Sequence, residues 1–221
     1  MISLLPRRRK ADEAKKEKSA GAQLVELVVI IAVALGLALG IQAVLIKPYR
    51  IPSGSMLPTL KIGQRVLVDR IGTHFKDPHV GDIVVFHPPA PADAGTGGKG
   101  PNGMCGVDNA DGEPCPRNDP RESKVNFIKR VVAGPGDRLS IVGGHVILNG
   151  RRLKEPYIAP CSSTEDCNYP KTITIPPDHW FMMGDNRGES EDSRYWGPVP
   201  KKWIIGGAFA TYWPIDRIGF L

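Results

Sequence analysis

An excess of positive charge is lacking over most of this 221-residue chain, although its formal net charge is +6. Residues 1–18 hold seven basic residues against three acidic ones, which leaves a net charge of only +2 for the rest of the chain. A nucleic-acid-binding protein presents its basic residues on a folded face, so we expect no nucleic-acid partner. With 41% hydrophobic residues the chain can bury one substantial core, with room for a small subdomain.

Long apolar stretches are confined to residues 27–46, where Gln42 is the only clearly polar residue. Twenty apolar residues suffice for a helix to cross about 30 Å of hydrocarbon. A cleaved signal peptide would have an apolar core of about 7–15 residues followed by a small-x-small site. Here Val44, Leu45 and Ile46 continue the apolar run to Lys47 and no such site follows, so the sequence predicts an uncleaved anchor.

The basic flank of this run predicts the orientation of the chain, because cytoplasmic flanks carry the excess of Lys and Arg. We therefore expect a cytoplasmic tail at residues 1–23, one transmembrane helix at 24–46 and an extracytoplasmic domain at 47–221.

Cysteine is also rare, and the four cysteines all fall on the predicted outer side. An even number in an oxidising compartment favours two local disulfides, Cys105–Cys115 and Cys161–Cys167, although three pairings are open. Zinc binding is the alternative, but the spacing fits no usual finger and no histidine neighbours the cysteines. We expect no metal.

Beyond the apolar run, helical periodicity is absent and hydrophobic residues alternate with a period of two, which is typical of strands. Gly143–Gly144 and Asn149–Gly150 are turn dipeptides of β-hairpins. The pattern predicts a mainly β, antiparallel domain, closed or partly closed like a barrel because long exposed edges invite pairing. The predicted strands are 64–70, 82–88, 126–132, 138–142, 145–149, 172–176, 179–185 and 203–213.

Residues 88–125 form a long insert rich in Pro, Gly and Asp, with too few apolar residues to pack a core. We interpret it as a surface loop closed by Cys105–Cys115 and assign it no chemistry.

A stiff polar segment, "IPSGSMLPTL" at residues 51–60, follows the predicted anchor. Pro52 and Pro58 restrict its backbone, while Gly54 gives access to angles closed to other residues. Ser55 could present its hydroxyl from such a restricted backbone, although an ordinary turn rich in Ser and Gly would account for the same sequence.

A nucleophilic serine needs a base. None of the five histidines lies in a segment resembling an active-site turn, although a Ser–His–Asp triad is not excluded. A buried lysine is the other option, because burial lowers the pKa of its amine. Lys129 lies in the apolar strand "NFIKRVV", where alternation places it on the face of Phe127 and Val131. The alternative is a solvated lysine on an edge strand.

Polar residues crowd the segment "MGDNRGESEDSRYWGPV" at 183–199, between two pairs of aromatic residues. Such density suggests a hydrogen-bonded scaffold in which Asp192 pairs with Arg194 and Ser190 orients a buried amine.

Together these segments resemble the type I signal peptidases, membrane-bound serine proteases that remove signal peptides from exported proteins. The likeness runs from about Tyr49 to Trp213 in the family's motif order. It is carried by "IPSGSMLPTL", "GDIVVF" (81–86), "FIKRVVAGPGD" (127–137) and "GDNRGESEDSRYWG" (184–197).

The resemblance implies the roles of the site residues. Ser55 would be the nucleophile and Lys129 the general base, while the Ser53 hydroxyl and the Ser55 N–H would form the oxyanion hole. Ser190 would hydrogen-bond the Lys129 amine, and the supporting residues would include Asp192 and Arg194. No cofactor is implied.

The resemblance also implies preprotein substrates, cut after small residues at the first and third positions before the scissile bond. It places the enzyme in the bacterial plasma membrane and a small β subdomain at about residues 140–178. A phenylalanine stands at 127 where many relatives have tyrosine, which leaves the shape of the pocket open. The residues expected to line the substrate pockets are Ile51, Met56, Leu60, Val85, Phe127 and Ile128.

Two rival interpretations share these motifs. Self-cleaving repressors of the SOS type use the same dyad, but residues 1–23 are too short for a DNA-binding domain. An inactive, membrane-tethered binding module would be expected to lack Ser55 or Lys129, and both are present.

Overall fold

The structure is a computed structural model that describes residues 20–93, 104–161 and 167–221. The predicted basic tail lies mostly outside these residues. The chain divides into two compact units, Met1–Ile41 and Gln42–Leu221.

One long apolar helix, α1 (Ala20–Leu45), accounts for the predicted anchor. Its segment Gly21–Gly40 has a mean hydropathy of 2.5 and none of it is buried. At 1.5 Å per residue, its 26 residues extend about 39 Å, enough to cross a bilayer. The helix ends one residue earlier than predicted, because Ile46 begins the first strand.

The second unit contains two antiparallel sheets. Their strands are β1 (Ile46–Arg50), β2 (Arg65–Asp69), β3 (Ile83–Phe86), β4 (Phe127–Ala133), β5 (Arg138–Val142), β6 (His145–Leu148), β7 (Arg151–Arg152), β8 (Tyr169–Thr174), β9 (His179–Met183), β10 (Val199–Pro200), β11 (Ile204–Trp213) and β12 (Gly219–Phe220). In the large sheet the strand order is β1-β2-β11-β3-β4-β9-β10, with β12 paired to β11, and in the small sheet it is β7-β6-β5-β8.

The large sheet is curled and both of its faces are covered. Register shifts interrupt the pairing of β11 with β2 and β3, and of β4 with β9, and such irregularities bend strands. Because side chains alternate, Val85 and Ile128 pack with Ile51 on one face, while Val84 and Val131 belong to a separate cluster. The predicted mainly β, partly closed antiparallel fold is confirmed.

Every predicted strand overlaps an observed one, but the short elements were missed. These include β1, which had been counted in part as anchor, and the four-residue helices α2 (Gly72–Phe75), α3 (Ala90–Asp93) and α4 (Ser193–Trp196). One helical turn is too short to show a period in sequence.

Both predicted disulfides, Cys105–Cys115 and Cys161–Cys167, are present. The described parts of the insert, however, are more than a surface loop. Ala92 and Met104 are 5% and 3% exposed and belong to the core of the large sheet. The Cys115 N–H donates to the carbonyl of Arg194 at 3.0 Å, so the insert is bonded to α4.

Candidate active site

The stiff polar segment forms a tight turn between β1 and β2. Ser53 is extended and residues 54–56 form one 3₁₀ turn, closed by the Leu57 N–H donating to the Gly54 carbonyl at 3.0 Å. Ser55 lies in the middle of this turn and is only 7% exposed. The turn thus aims the Ser55 side chain inward, toward the large sheet.

Lys129 meets Ser55 from the adjoining strand. It lies in the middle of β4 and is 4% exposed. Its Nζ is 2.6 Å from Ser55 Oγ, and Ser53 Oγ is 3.3 Å from the same oxygen. Phe127 lies on the same face of the strand as predicted, with its ring centroid 5.7 Å from the lysine nitrogen. The alternative prediction, a solvated lysine on an edge strand, is therefore wrong.

Burial lowers the pKa of Lys129 from 10.5 to about 8, because the ammonium loses its hydration. The negative charge of Asp192 acts in the opposite direction and limits the fall. At pH 8 about half of such a lysine carries no proton. A neutral amine within hydrogen-bond distance of a hydroxyl can accept its proton, as a general base must.

The loop after β9 holds the backbone of the turn at residues 54–56, called the serine turn below. The Asn186 N–H donates to the Ser55 carbonyl at 3.0 Å, and its side-chain amide donates to the Gly54 carbonyl at 3.2 Å. Gly184 lies so close that a Cβ atom there would be 2.4 Å from the Ser55 carbonyl oxygen. The two segments are therefore fitted to each other at the backbone, across about 130 positions of sequence.

A buried ion pair that the sequence did not predict anchors the same loop. Arg130 Nε and Nη2 donate to the two carboxylate oxygens of Asp185, at 2.8 and 2.7 Å. The Thr59 hydroxyl donates to the same carboxylate at 2.5 Å. Strand alternation did place Arg130 on the face opposite Lys129. Its acidic partner could not be chosen by pattern alone.

Asp192 and Arg194 pair as predicted, and both are fully buried. Arg194 Nε donates to Asp192 Oδ1 at 2.7 Å, while Asp192 Oδ2 accepts from the Gly184 N–H at 3.0 Å. Burial alone raises the pKa of Asp192, but the charge and hydrogen bonds of Arg194 outweigh it and hold this pKa below its usual range. The result is a permanent negative charge near the Lys129 amine.

Ser190 departs from its expected contact. Its hydroxyl is buried and has no hydrogen-bond partner among the described residues, so the predicted bond to Lys129 is absent from this structure. The oxygen instead lies against Gly184, 2.2 Å from where a Cβ would stand. The Ser190 carbonyl accepts from Arg194 Nη2 at 2.9 Å, which holds the backbone of Ser190 in place.

A groove of about 360 Å³ runs beside the dyad between residues 49–52 and 125–128. Four of the six predicted pocket residues line it: Ile51, Val85, Phe127 and Ile128. Met56 and Leu60 do not line it, because both have 0% exposure within the core on that face of the sheet. Their contact with substrate therefore stays a prediction.

Metal ligands are not gathered at this site or elsewhere in the described ranges. Within them, no group of three or more His, Cys, Asp and Glu side chains is placed to hold an ion.

Comparison with known proteins bears on this arrangement. The sequence model of a family described as "Signal peptidase, peptidase S26" matches residues 24–213. A signal peptidase I from Leptolyngbya laminosa is 36% identical over 211 residues, which cover 96% of this chain and 90% of that protein. A probable signal peptidase I-2 from Synechocystis sp. is 33% identical, over 94% of this chain and 81% of its own length.

A plant protein is similar over a smaller share of its length. The probable thylakoidal processing peptidase 2 of Arabidopsis thaliana is 33% identical over 84% of this chain, which corresponds to 43% of that relative.

Proposed function

Since this chain belongs to the signal peptidase family, peptidase S26, and is a serine peptidase, we propose that it cleaves signal peptides from preproteins with Ser55 as nucleophile and Lys129 as general base. The observation that carries this proposal is the 2.6 Å approach of Lys129 Nζ to Ser55 Oγ in a buried setting.

Acylation begins with the neutral Lys129 amine, which accepts the proton of the Ser55 hydroxyl as the serine oxygen bonds to the scissile carbonyl carbon. The carbonyl electron pair moves to its oxygen and forms an oxyanion. When the intermediate collapses, the C–N bond breaks and the Lys129 ammonium returns the proton to the leaving amine. The signal peptide remains as an ester on Ser55.

The oxyanion is bound by the Ser53 hydroxyl and the backbone N–H of Ser55. The 3.3 Å distance from Ser53 Oγ to the nucleophilic oxygen supports this role, because a donor so near the attacking atom is also near the carbonyl it attacks. One such donor typically contributes about 10²–10³ in turnover.

Deacylation repeats the sequence with water. Lys129, neutral again, accepts a proton from the attacking water, the C–O ester bond breaks, and the proton passes to Ser55 Oγ. Asp192, held by Arg194, keeps a negative charge near this amine and stabilises the ammonium that forms transiently in each half-reaction.

The groove beside the dyad takes the substrate in an extended form. Ile51 and Pro52 bound it on one side, and Phe127 and Ile128 on the other, so its lining is mainly apolar. An extended peptide laid there can pair with exposed strand edges, as in β-strand addition. Small residues at the first and third positions before the cut suit a groove narrowed by these side chains.

The anchor α1 holds the enzyme at a membrane, where signal peptides emerge. We place the basic tail in the cytoplasm and the catalytic unit on the outer face of a bacterial plasma membrane, following the excess of Lys and Arg at residues 1–18. Protease accessibility of the catalytic unit in intact cells tests the orientation. Fractionation distinguishes the plasma membrane from a thylakoid membrane, the compartment in the plant relative's name.

The decisive experiment is cleavage of a membrane-presented precursor with an Ala-x-Ala site by the full chain in liposomes. Wild type is compared with Ser55→Ala, Lys129→Ala and, as matched control, Lys124→Ala, which removes an exposed lysine near the start of the same strand. We expect wild type and the control to cut after the second Ala and the other two to be inactive. Equal cutting by all four would refute the dyad, and cutting by none would favour a binding module.

A further inference from the structure

A third buried ion pair, Glu155–Arg187, lies outside the dyad and its supports. Glu155 Oε1 accepts from Arg187 Nη2 at 2.6 Å, and both side chains have 0% exposure. Burying two charges is costly unless each is fully hydrogen-bonded. Glu155 and Arg187 therefore need further hydrogen bonds to groups around them.

Arg187 uses its remaining donors on backbone carbonyls from two different parts of the fold. Its Nε donates to the Gly184 carbonyl at 2.9 Å, and its Nη1 donates to the carbonyl of Gly144 in the turn between β5 and β6. The planar guanidinium of Arg187 thus joins three parts of the fold: Glu155, the small sheet, and the loop after β9 at residues 184–191, called the site loop below.

Glu155 is fixed on the small-sheet side of this junction. It follows β7, and its Oε2 accepts from the Val146 N–H of β6 at 3.0 Å. His145 Nδ1 lies 3.7 Å from the same oxygen. Both carboxylate oxygens are therefore engaged: Oε1 by Arg187 Nη2, and Oε2 by the Val146 N–H and, at 3.4 Å, by Arg187 Nη1.

The site loop in turn contacts the backbone of Ser55. Gly184 packs against the Ser55 carbonyl, and Asn186 donates to that carbonyl at 3.0 Å. The Asp185 carbonyl also accepts from the Ala159 N–H, four residues after Glu155, at 2.9 Å. Two sets of contacts thus connect the segment of Glu155 with the backbone of the serine turn, one through Arg187 and the other through the backbone of Ala159.

We infer that Glu155 is a positioning residue for the reaction: with Arg187 it holds residues 184–186 against the Ser55 backbone, so that the small sheet sets the place of the nucleophile. The inference rests on the proposed role of Ser55 as nucleophile. It gives the small sheet a function in catalysis although none of its strands reaches the dyad.

The effect should fall on kcat rather than KM. The groove is lined by Val85 and residues 49–52 and 125–128, none of which is a hydrogen-bond partner of Glu155 or Arg187. A shift of the serine turn by a fraction of an ångström, in contrast, spoils the alignment of Ser55 with Lys129 and with the scissile carbonyl.

The test compares the full chain in detergent micelles as wild type, Glu155→Gln and Leu139→Ala. Leu139 is fully buried in β5 and none of the pair's hydrogen bonds involves it, so its truncation loosens the small sheet while the pair stays intact. Melting temperatures establish that each variant is folded at the assay temperature. Precursor cleavage then gives kcat and KM, and hydrogen exchange with mass spectrometry follows the segments 53–57 and 184–191.

We expect Glu155→Gln to lower kcat at least tenfold with KM changed less than twofold, and to speed exchange in both segments. Leu139→Ala should lower the melting temperature yet keep kcat within twofold and leave both segments protected. The inference is overturned if the two variants lose activity in proportion to their lost stability, or if folded Glu155→Gln keeps its kcat or its exchange protection.

Hydrogen exchange separates this inference from the proposed function. If the wild type cleaves no precursor, the proposed function fails. The exchange of residues 53–57 in Glu155→Gln still shows whether the pair holds the serine turn.

Discussion

Replacing the buried lysine by methionine should make the protein more stable while abolishing catalysis. Folding moves the pKa of Lys129 from 10.5 to about 8, and a shift of this size corresponds to about 3 kcal/mol of destabilisation at pH 7. Methionine is unbranched, similar in length and uncharged, so it removes this cost. The lost hydrogen bond to Ser55 costs about 1 kcal/mol. Lys129→Met should therefore raise the free energy of unfolding by about 2 kcal/mol at pH 7.

The pH dependence gives this prediction its sharpest form. Below pH 8 both folded and unfolded wild type bind the lysine proton, so the full destabilisation applies. Between pH 8 and 10.5 the unfolded chain holds a proton that the folded chain has lost, so the stability of wild type rises with pH. The advantage of Lys129→Met should thus be largest below pH 8, disappear near pH 10 and become a deficit of up to about 1 kcal/mol at higher pH, where only the lost hydrogen bond counts.

The assay is urea unfolding of the full chain in detergent micelles, followed by tryptophan fluorescence, to which the buried Trp180, Trp196 and Trp203 contribute. Lys124→Met, at an exposed position, is the control and should leave stability unchanged at every pH. A Lys129→Met protein that is less stable than wild type at pH 7, or whose advantage does not change with pH, would refute the reasoning.

Four further results are expected in the cleavage assay. The value of kcat/KM should rise with pH, reach half of its plateau near pH 8 and level off about one pH unit higher, as Lys129 loses its proton. Lys129→Arg should be inactive because a guanidinium cannot act as a base; an active arginine variant would contradict the mechanism. Gly184→Ala should abolish activity, since its Cβ would lie 2.4 Å from the Ser55 carbonyl oxygen, whereas Gly188→Ala in the same loop has open space and should be active; equal rates would show that the close approach is unimportant. Ser53→Ala should lower kcat about 10²-fold with KM little changed, and an unchanged kcat would remove Ser53 from the oxyanion hole.

The strands could be predicted from the sequence because their signals are local, whereas Ser55 and Lys129 were paired only through the resemblance to a family. Alternation of apolar residues reports burial directly, and it correctly placed Phe127 and Lys129 on one face of β4. Local pattern could not decide whether that face was solvated. The answer depends on the turn at residues 54–56, which packs against the strand from 74 positions away.

Contacts between distant polar residues could not be predicted in the same way. Arg130 could have paired with any of several acids, and its choice of Asp185 follows from how β9 lies beside β4. The Glu155–Arg187 pair likewise depends on the docking of the small sheet. Met56 was expected to line a substrate pocket because of the family resemblance. It is fully buried in a cluster with Ile51 and Leu60, and burial of a residue in a turn leaves no local sequence signal.

The position of β11 has a consequence for how the enzyme comes into being. This strand, near the end of the described chain, lies in the middle of the sheet, between β2 and β3. The turn with Ser55 belongs to the β1–β2 side and Lys129 to the β3–β4 side, so Ser55 and Lys129 are joined through a strand that is synthesised after both of them. During synthesis the serine emerges long before the sheet that presents its base can close. A nascent or truncated chain therefore has no assembled catalytic site while it is held in the membrane beside the preproteins it will later cut.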